Sequence, residues 1–162
     1  VTALTVERFF WDDAVRRAAA EQLRMDVFVA EQGVPADEEI DDIDPVALHV
    51  LVRDAATGVA LGTGRVFDPD GSGRIARIGR MAVARTARRR GVGRRVLIAL
   101  MREGLARGVA EMVLDAQTHA IPFYASLGFE VTGPEHLDCG IPHRMMGIAA
   151  AAARRRLAAE PD

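Results

Sequence analysis

The chain has 162 residues, 49% apolar and 27% charged, which is one ordinary globular domain with enough length for a sizeable core. A formal net charge of −2 and a pI near 6.1 give no global case for binding nucleic acid or an anionic membrane. The single cysteine excludes an internal disulfide and any Cys-rich zinc site, and it suits a reducing cytoplasm.

The segment Leu4-Thr5-Val6-Glu7-Arg8-Phe9 alternates as a strand does, and Trp11-Asp12-Asp13 offers an N-cap for an alanine-rich helix ending near Phe28. Gly33-Val34-Pro35 stops that helix, and the acids after Pro35 predict a short second one. Asp41, Asp42 and Asp44 read as a solvated loop, or as a rim that attracts cations. Three strands follow over residues 47–53, 59–67 and 74–84, with short turn sequences between them that predict an antiparallel meander. A helix opens after Gly93, its apolar positions Val96, Leu97, Leu100, Met101 and Leu105 facing the sheet and Gly108 stopping it. Residues 111–116 form another strand, 121–127 a short helix, and 129–131 and 143–148 the last strands. Residues 1–150 read as a single domain, with a frayed or helical tail over 151–162. No signal-peptide pattern opens the chain, and its longest nearly apolar run, residues 145–153, is about half the length of a spanning helix. The expectation is a soluble, cytoplasmic protein.

Arg88-Arg89-Arg90-Gly91-Val92-Gly93 joins a strand-like run to the helix opened by Arg94. Two glycines let backbone approach a ligand closely, and the first-turn N–H groups, backed by the helix dipole, attract an anion such as a pyrophosphate. Three arginines there oppose the dipole unless an anion is bound. The chain has no lysine, which excludes a Walker loop, and it lacks the third glycine of a dinucleotide fingerprint.

Strand, R-x-x-G-x-G, helix, strand and then Phe123-Tyr124-x-x-Leu127-Gly128-Phe129 together resemble the GNAT superfamily of acyl-CoA-dependent N-acetyltransferases. Phe28-Val29-x-Glu31-Gln32-Gly33, the Asp41-Asp42-x-Asp44 run with His49, and Gly140-Ile141-Pro142-His143 resemble its bacterial ElaA-like branch. The resemblance implies an α/β (α+β) fold whose mixed, mostly antiparallel sheet splays between strands 4 and 5, flanked by helices. It implies acetyl-CoA as cosubstrate, its amide-rich arm hydrogen-bonded to the backbone of Met81, Ala82 and Val83 as an added strand would be. Arg88 and the amides of Arg89, Arg90, Gly91, Val92, Gly93 and Arg94 would hold the pyrophosphate, and Gln117 and His119 are further candidates for the cofactor.

Acyl transfer to an amine needs a neutral amine, an electrophilic carbonyl and a proton for the departing thiolate. Tyr124, the only tyrosine, is the candidate acid; otherwise it is a core aromatic with a satisfied hydroxyl. Glu31 and His49 are candidate bases, with helix-end solvation and a hydrogen-bonded strand histidine as the plain alternatives. Glu31 and His143 are candidates for holding the acceptor. Cys139 has no evident histidine partner to activate it, so direct transfer is favoured, and no histidine pair suggests a metal. The function so read is acetyl transfer from acetyl-CoA to a primary amine of a small molecule or peptide. A non-catalytic acyl-CoA sensor is the alternative, and an open strand edge could support a homodimer.

Overall fold

The computed structural model describes residues 3–161. In chain order the elements are β1 (Leu4–Phe9), α1 (Ala14–Arg24), α2 (Ala36–Glu39), β2 (Leu48–Asp54), β3 (Ala60–Phe67), β4 (Ile75–Val83), α3 (Val92–Ala106), β5 (Glu111–Gln117), α4 (Ile121–Ala125), β6 (Glu130–Val131), β7 (His136–Asp138), β8 (Ile141–Ala149) and α5 (Ala150–Leu157). The strands form one mixed sheet in the order β1-β2-β3-β4-β5-β8-β6, with β7 paired to β8. The chain divides into two compact, interleaved units, residues up to 67 with 80–100, and residues 68–79 with 101 onward.

In the first unit, β1 and β2 pair antiparallel from Leu4↔Asp54 to Phe9↔His49, and β2 pairs β3 in the same sense. Phe9, Trp11, Ala20, Leu23 and Leu51 bury one core cluster there. Asp13 caps α1 as its position predicts, its Oδ1 accepting the Arg16 N–H at 3.1 Å. The helix does not end as a plain α-helix. It widens into a π-helix, Met25–Glu31, in which the Gln32 N–H reaches back five residues to the Val27 carbonyl at 3.1 Å.

Two glycines of β3 set the height of α3. A Cβ at Gly62 would stand 2.6 Å from Val92 Cγ1, and one at Gly64 would stand 2.7 Å from Leu100 Cδ1. Absence of those side chains lets the helix that begins at Val92 lie directly on the strand, which fixes where its N-terminus points.

In the second unit, β4 and β5 run parallel from Ile75↔Glu111 to Ile78↔Leu114. Their register ends there, although β4 continues to Val83 and β5 to Gln117. β8 is antiparallel to β5 from Glu111↔Ala149 to Gln117↔His143 and starts at Ile141, two residues earlier than the pattern suggests. β7 was not legible in the sequence: three exposed residues carry no alternation of buried and exposed positions. It exists because Cys139 and Gly140 both adopt positive φ, 48° and 74°, a tight turn that folds β7 back on β8. The tail forms α5, with Ala153 and Leu157 buried.

Candidate active site

The glycine turn stands where strand β4, a 3-10 turn (Arg85–Ala87) and α3 meet. Arg89 has φ 64° and Gly91 φ 79°. A left-handed arginine is strained, and such strain gathers at ligand-binding turns. The first intrahelical bond of α3 runs from the Arg95 N–H to the Gly91 carbonyl at 3.1 Å, so the helix turn before it projects its N–H groups outward. The segment from Arg88 to Arg94 thus joins strand to helix through a turn, with backbone donors and a helix dipole at its end.

Arg88 and Glu31, predicted separately as cofactor-binding and acceptor-facing residues, meet each other. The guanidinium binds the Glu31 carboxylate through both η nitrogens, at 2.6 and 2.8 Å, and donates from Nε to the Val83 carbonyl at 3.2 Å. The Arg88 hydrogen bond holds the Glu31 carboxyl below its ordinary value. An ionised, cation-paired carboxylate is a poor proton acceptor, so the geometry makes Glu31 a clamp on Arg88 rather than a base. Met81, Ala82 and Val83 end β4, with Ala82 buried and the other two half-buried.

Just upstream, Arg80 interrupts β4 with φ 49°, two residues after the last β4–β5 pair. A left-handed residue inside a strand bends it as a bulge does. Its guanidinium is held by the carbonyls of Glu39 at 3.2 Å and Glu38 at 3.4 Å and by Asp41 Oδ2 at 3.2 Å.

That anchor belongs to a network the sequence did not reveal. Arg24, 1% exposed, donates to Glu39 Oε1 at 2.8 Å, to Asp44 Oδ1 at 2.7 Å and to the Glu39 carbonyl at 2.6 Å. Arg65 donates from Nη1 to Asp41 and Asp44, at 2.6 and 2.7 Å. Asp44 is fully buried, which corrects the reading of this acidic run as a solvated loop or cation-attracting rim: its carboxylates at 41 and 44 are spent on arginines of the same unit. Burial is the largest single influence on Asp41 and opposes its charge, but the hydrogen bond and charge of Arg65, the charge of Arg80 and the Ile43 N–H together outweigh it and bring the carboxyl down to about 2. Glu39 shifts the other way, because burial outweighs its bond to Arg24.

His49 also proves structural. It is 1% exposed, stacked on Phe9 at 5.2 Å and tilted against Trp11 at 4.6 Å, with Nε2 2.9 Å from the Asp44 carbonyl. Burial pushes its pKa down. A ring enclosed in this way offers no path to an acceptor amine, so the catalytic expectation for His49 is withdrawn.

In the second unit, Tyr124 sits half-buried on α4, its ring 5.0 Å from Phe123 and 6.4 Å from Phe129. Burial pushes its phenol up to about 12, so the hydroxyl keeps its proton at neutral pH. Gln117 ends β5 opposite His143 of β8. His119 is exposed in the 3-10 turn before α4. His143 is nearly buried, its Nδ1 2.7 Å from the Ile141 carbonyl, and Cys139 is exposed at the hairpin tip. Among the described residues no group of three His, Cys, Asp or Glu is arranged to hold a metal, and no helix is long and apolar enough to cross a membrane.

Comparison with known proteins agrees with this geometry. The model of the acetyltransferase (GNAT) family matches residues 15–129. The uncharacterized N-acetyltransferase YjcF of Bacillus subtilis is 41% identical over 125 residues, 76% of this chain and 86% of that protein. Among solved structures, an acyl-CoA N-acyltransferase from Pseudomonas aeruginosa matches with TM-score 0.78 at 27% identity, and Escherichia coli ElaA with 0.80 at 25%. Each covers 90% of this chain and is itself covered over 99% of its length. Built on that fold, with a glycine turn opening the helix after β4, the chain is an acetyltransferase enzyme and belongs to the GNAT family.

Proposed function

We propose that the protein moves an acetyl group from acetyl-CoA directly to a primary amine. The observation that carries this reading is the turn from Arg88 to Gly93: backbone donors, two left-handed residues and a helix dipole converge where a pyrophosphate would sit. The amides of residues 89–94 then bind the phosphates, and Arg88 adds charge from the position in which Glu31 clamps it. The backbone of Met81, Ala82 and Val83 takes the amide-bearing arm of the donor, and Gln117 and His119 supply further polar contacts to it. Tyr124 donates a hydrogen bond to the departing sulfur. Because a phenol at about 12 is a weaker acid than a thiol near 8.5, it stabilises the thiolate without having to surrender its proton fully. The cation-attracting rim has gone into the arginine network, so the acceptor is defined by its amine alone. A reducing cytoplasm suits the lone cysteine, and we keep a homodimer as an open-edge proposal.

The test is calorimetric titration with acetyl-CoA, using ATP and NAD as controls, followed by thiol release across a panel of amines. The expected result is binding selective for CoA and release with at least one amine. Tyr124→Phe should keep CoA affinity and lose roughly ten- to a hundred-fold in kcat. No selective CoA binding would remove the reading, and binding without release from any amine would leave a sensor instead.

A further inference from the structure

Three titratable side chains that play no part in the steps above are gathered on β5, β7 and β8. His143 stands opposite Gln117 of β5 on one side and opposite His136 of β7 on the other. Asp115 is two residues before Gln117, so the two-residue period of a strand puts Asp115, Gln117, His136 and His143 on one face of the sheet. The buried residues Met112, Leu114 and Ala116 take the other face.

The hydrogen bonds give each member a distinct state. His136 Nε2 lies 2.8 Å from Asp115 Oδ2. That bond, helped by a second one to the Pro134 carbonyl, raises the pKa of His136. With an acceptor at each nitrogen, the surroundings favour the protonated ring and fix its orientation. It stacks on His143, centroids 6.1 Å apart and planes 26° from parallel. His143 spends Nδ1 on the Ile141 carbonyl at 2.7 Å, so in the neutral ring that nitrogen carries the hydrogen and Nε2 carries the lone pair. Nε2 makes no hydrogen bond among the described residues and is not one of their buried unsatisfied atoms, which leaves it open to a ligand. Asp115 Oδ1 is a buried oxygen with no donor, a lone pair on the same face still available to an N–H.

We propose that His143 takes the proton from the acceptor's ammonium group, with His136 and Asp115 as the positioning residues that hold its ring. The proposal rests on the amine-acetylation reading and supplies the base that Glu31 and His49 do not. The ammonium gives one proton to His143 Nε2, and the neutral amine attacks the thioester carbon. The C–N bond forms, the C–S bond breaks with its electron pair leaving on sulfur, and the proton then released by nitrogen ends on the thiol. His143 returns its own proton to water.

The experiment uses the full chain and an amine that the wild type acetylates. His143→Ala should lower kcat on the order of a hundred-fold, leave the calorimetric affinity for CoA unchanged, and regain activity when imidazole is added to the buffer. His143→Asn keeps an N–H near the Ile141 carbonyl but lacks the second nitrogen, so it should be folded and equally slow; it covers the case in which the alanine variant does not fold. His136→Asn should lower kcat several-fold without rescue by imidazole. A His143→Asn variant that turns over at the wild-type rate overturns the assignment, as does a folded His143→Ala variant that imidazole does not rescue. If the wild type acetylates no amine, the proposed function fails first and this inference goes with it; wild-type turnover alongside a fully active variant sinks the inference alone.

Discussion

Two groups of arginines in the same unit behave in opposite ways. Arg24 and Arg65 lie in the core with Glu39 and Asp44, half-buried Asp41 closes the group, and their hydrogen bonds are directed to these carboxylates. Arg88, Arg89 and Arg90 lie exposed at the mouth of α3 beside backbone N–H groups that the helix itself cannot use. A guanidinium surrounded by carboxylates in the core is committed to the fold, whereas one at a helix N-terminus is committed to whatever anion arrives. Residue type is shared; burial and the sign of the neighbouring dipole decide the role.

The largest effect should come from breaking the closed group. Arg24→Met leaves Glu39 and Asp44 buried without their main cation, and removing one partner of a buried pair costs about 3–5 kcal/mol. For a chain of this size that corresponds to a fall in melting temperature on the order of 10 °C, measurable by circular dichroism. Loss of a degree or two would show that the network is relaxed enough to rehydrate, and the contrast with the open turn would weaken.

Acid separates the two groups next. Asp41 is held at about 2 against roughly 3.9 in an unfolded chain, and Asp44 is lowered in the same direction because burial, its largest single influence, is outweighed by Arg24 and Arg65 together. A depressed carboxylate adds stability that is present above the unfolded value and is lost as pH falls through the folded one. Glu39, raised by burial, contributes in the opposite sense. Melting temperature should therefore drop between about pH 4 and pH 2, and Asp41→Asn should flatten that slope. An unchanged slope in the variant would mean that other carboxylates control acid unfolding.

The contrast also explains what the sequence made legible. The turn could be read because everything that defines it is local: three arginines, two glycines, a strand before and a helix after. The strands of the meander were legible for the same reason, since alternation and turn residues are written along the chain. The network could not be read, because Arg24 pairs with residues 15 and 20 positions away and Arg65 with residues 24 and 21 away. Each member, taken alone, looks like a solvated helix, strand or loop charge. The same distance hid the meeting of Asp115 with His136, 21 residues apart, and the pairing of Glu31 with Arg88, 57 apart. Arg80 carried one available signal, a glycine before it in the middle of a strand run, which marks a bulge more often than a plain strand.

The smallest expected effect tests the one residue that belongs to both groups in character. Arg88 is exposed like its neighbours in the turn, yet it is paired like Arg24. Its partner is outside the core, so the pair should be worth no more than about 1 kcal/mol to stability, and Glu31→Gln should melt close to the wild type. The cofactor should notice more. The carboxylate cancels the charge that a pyrophosphate would use, and the guanidinium has a second anchor that does not involve Glu31, its Nε on the Val83 carbonyl. Removing the negative charge should therefore tighten CoA binding by about two- to five-fold, the factor that about 0.4–1 kcal/mol represents, with the change shrinking at high salt. Weaker binding would mean that Glu31 is needed to aim Arg88, and the arginine would then belong with the closed, structural group despite its exposure.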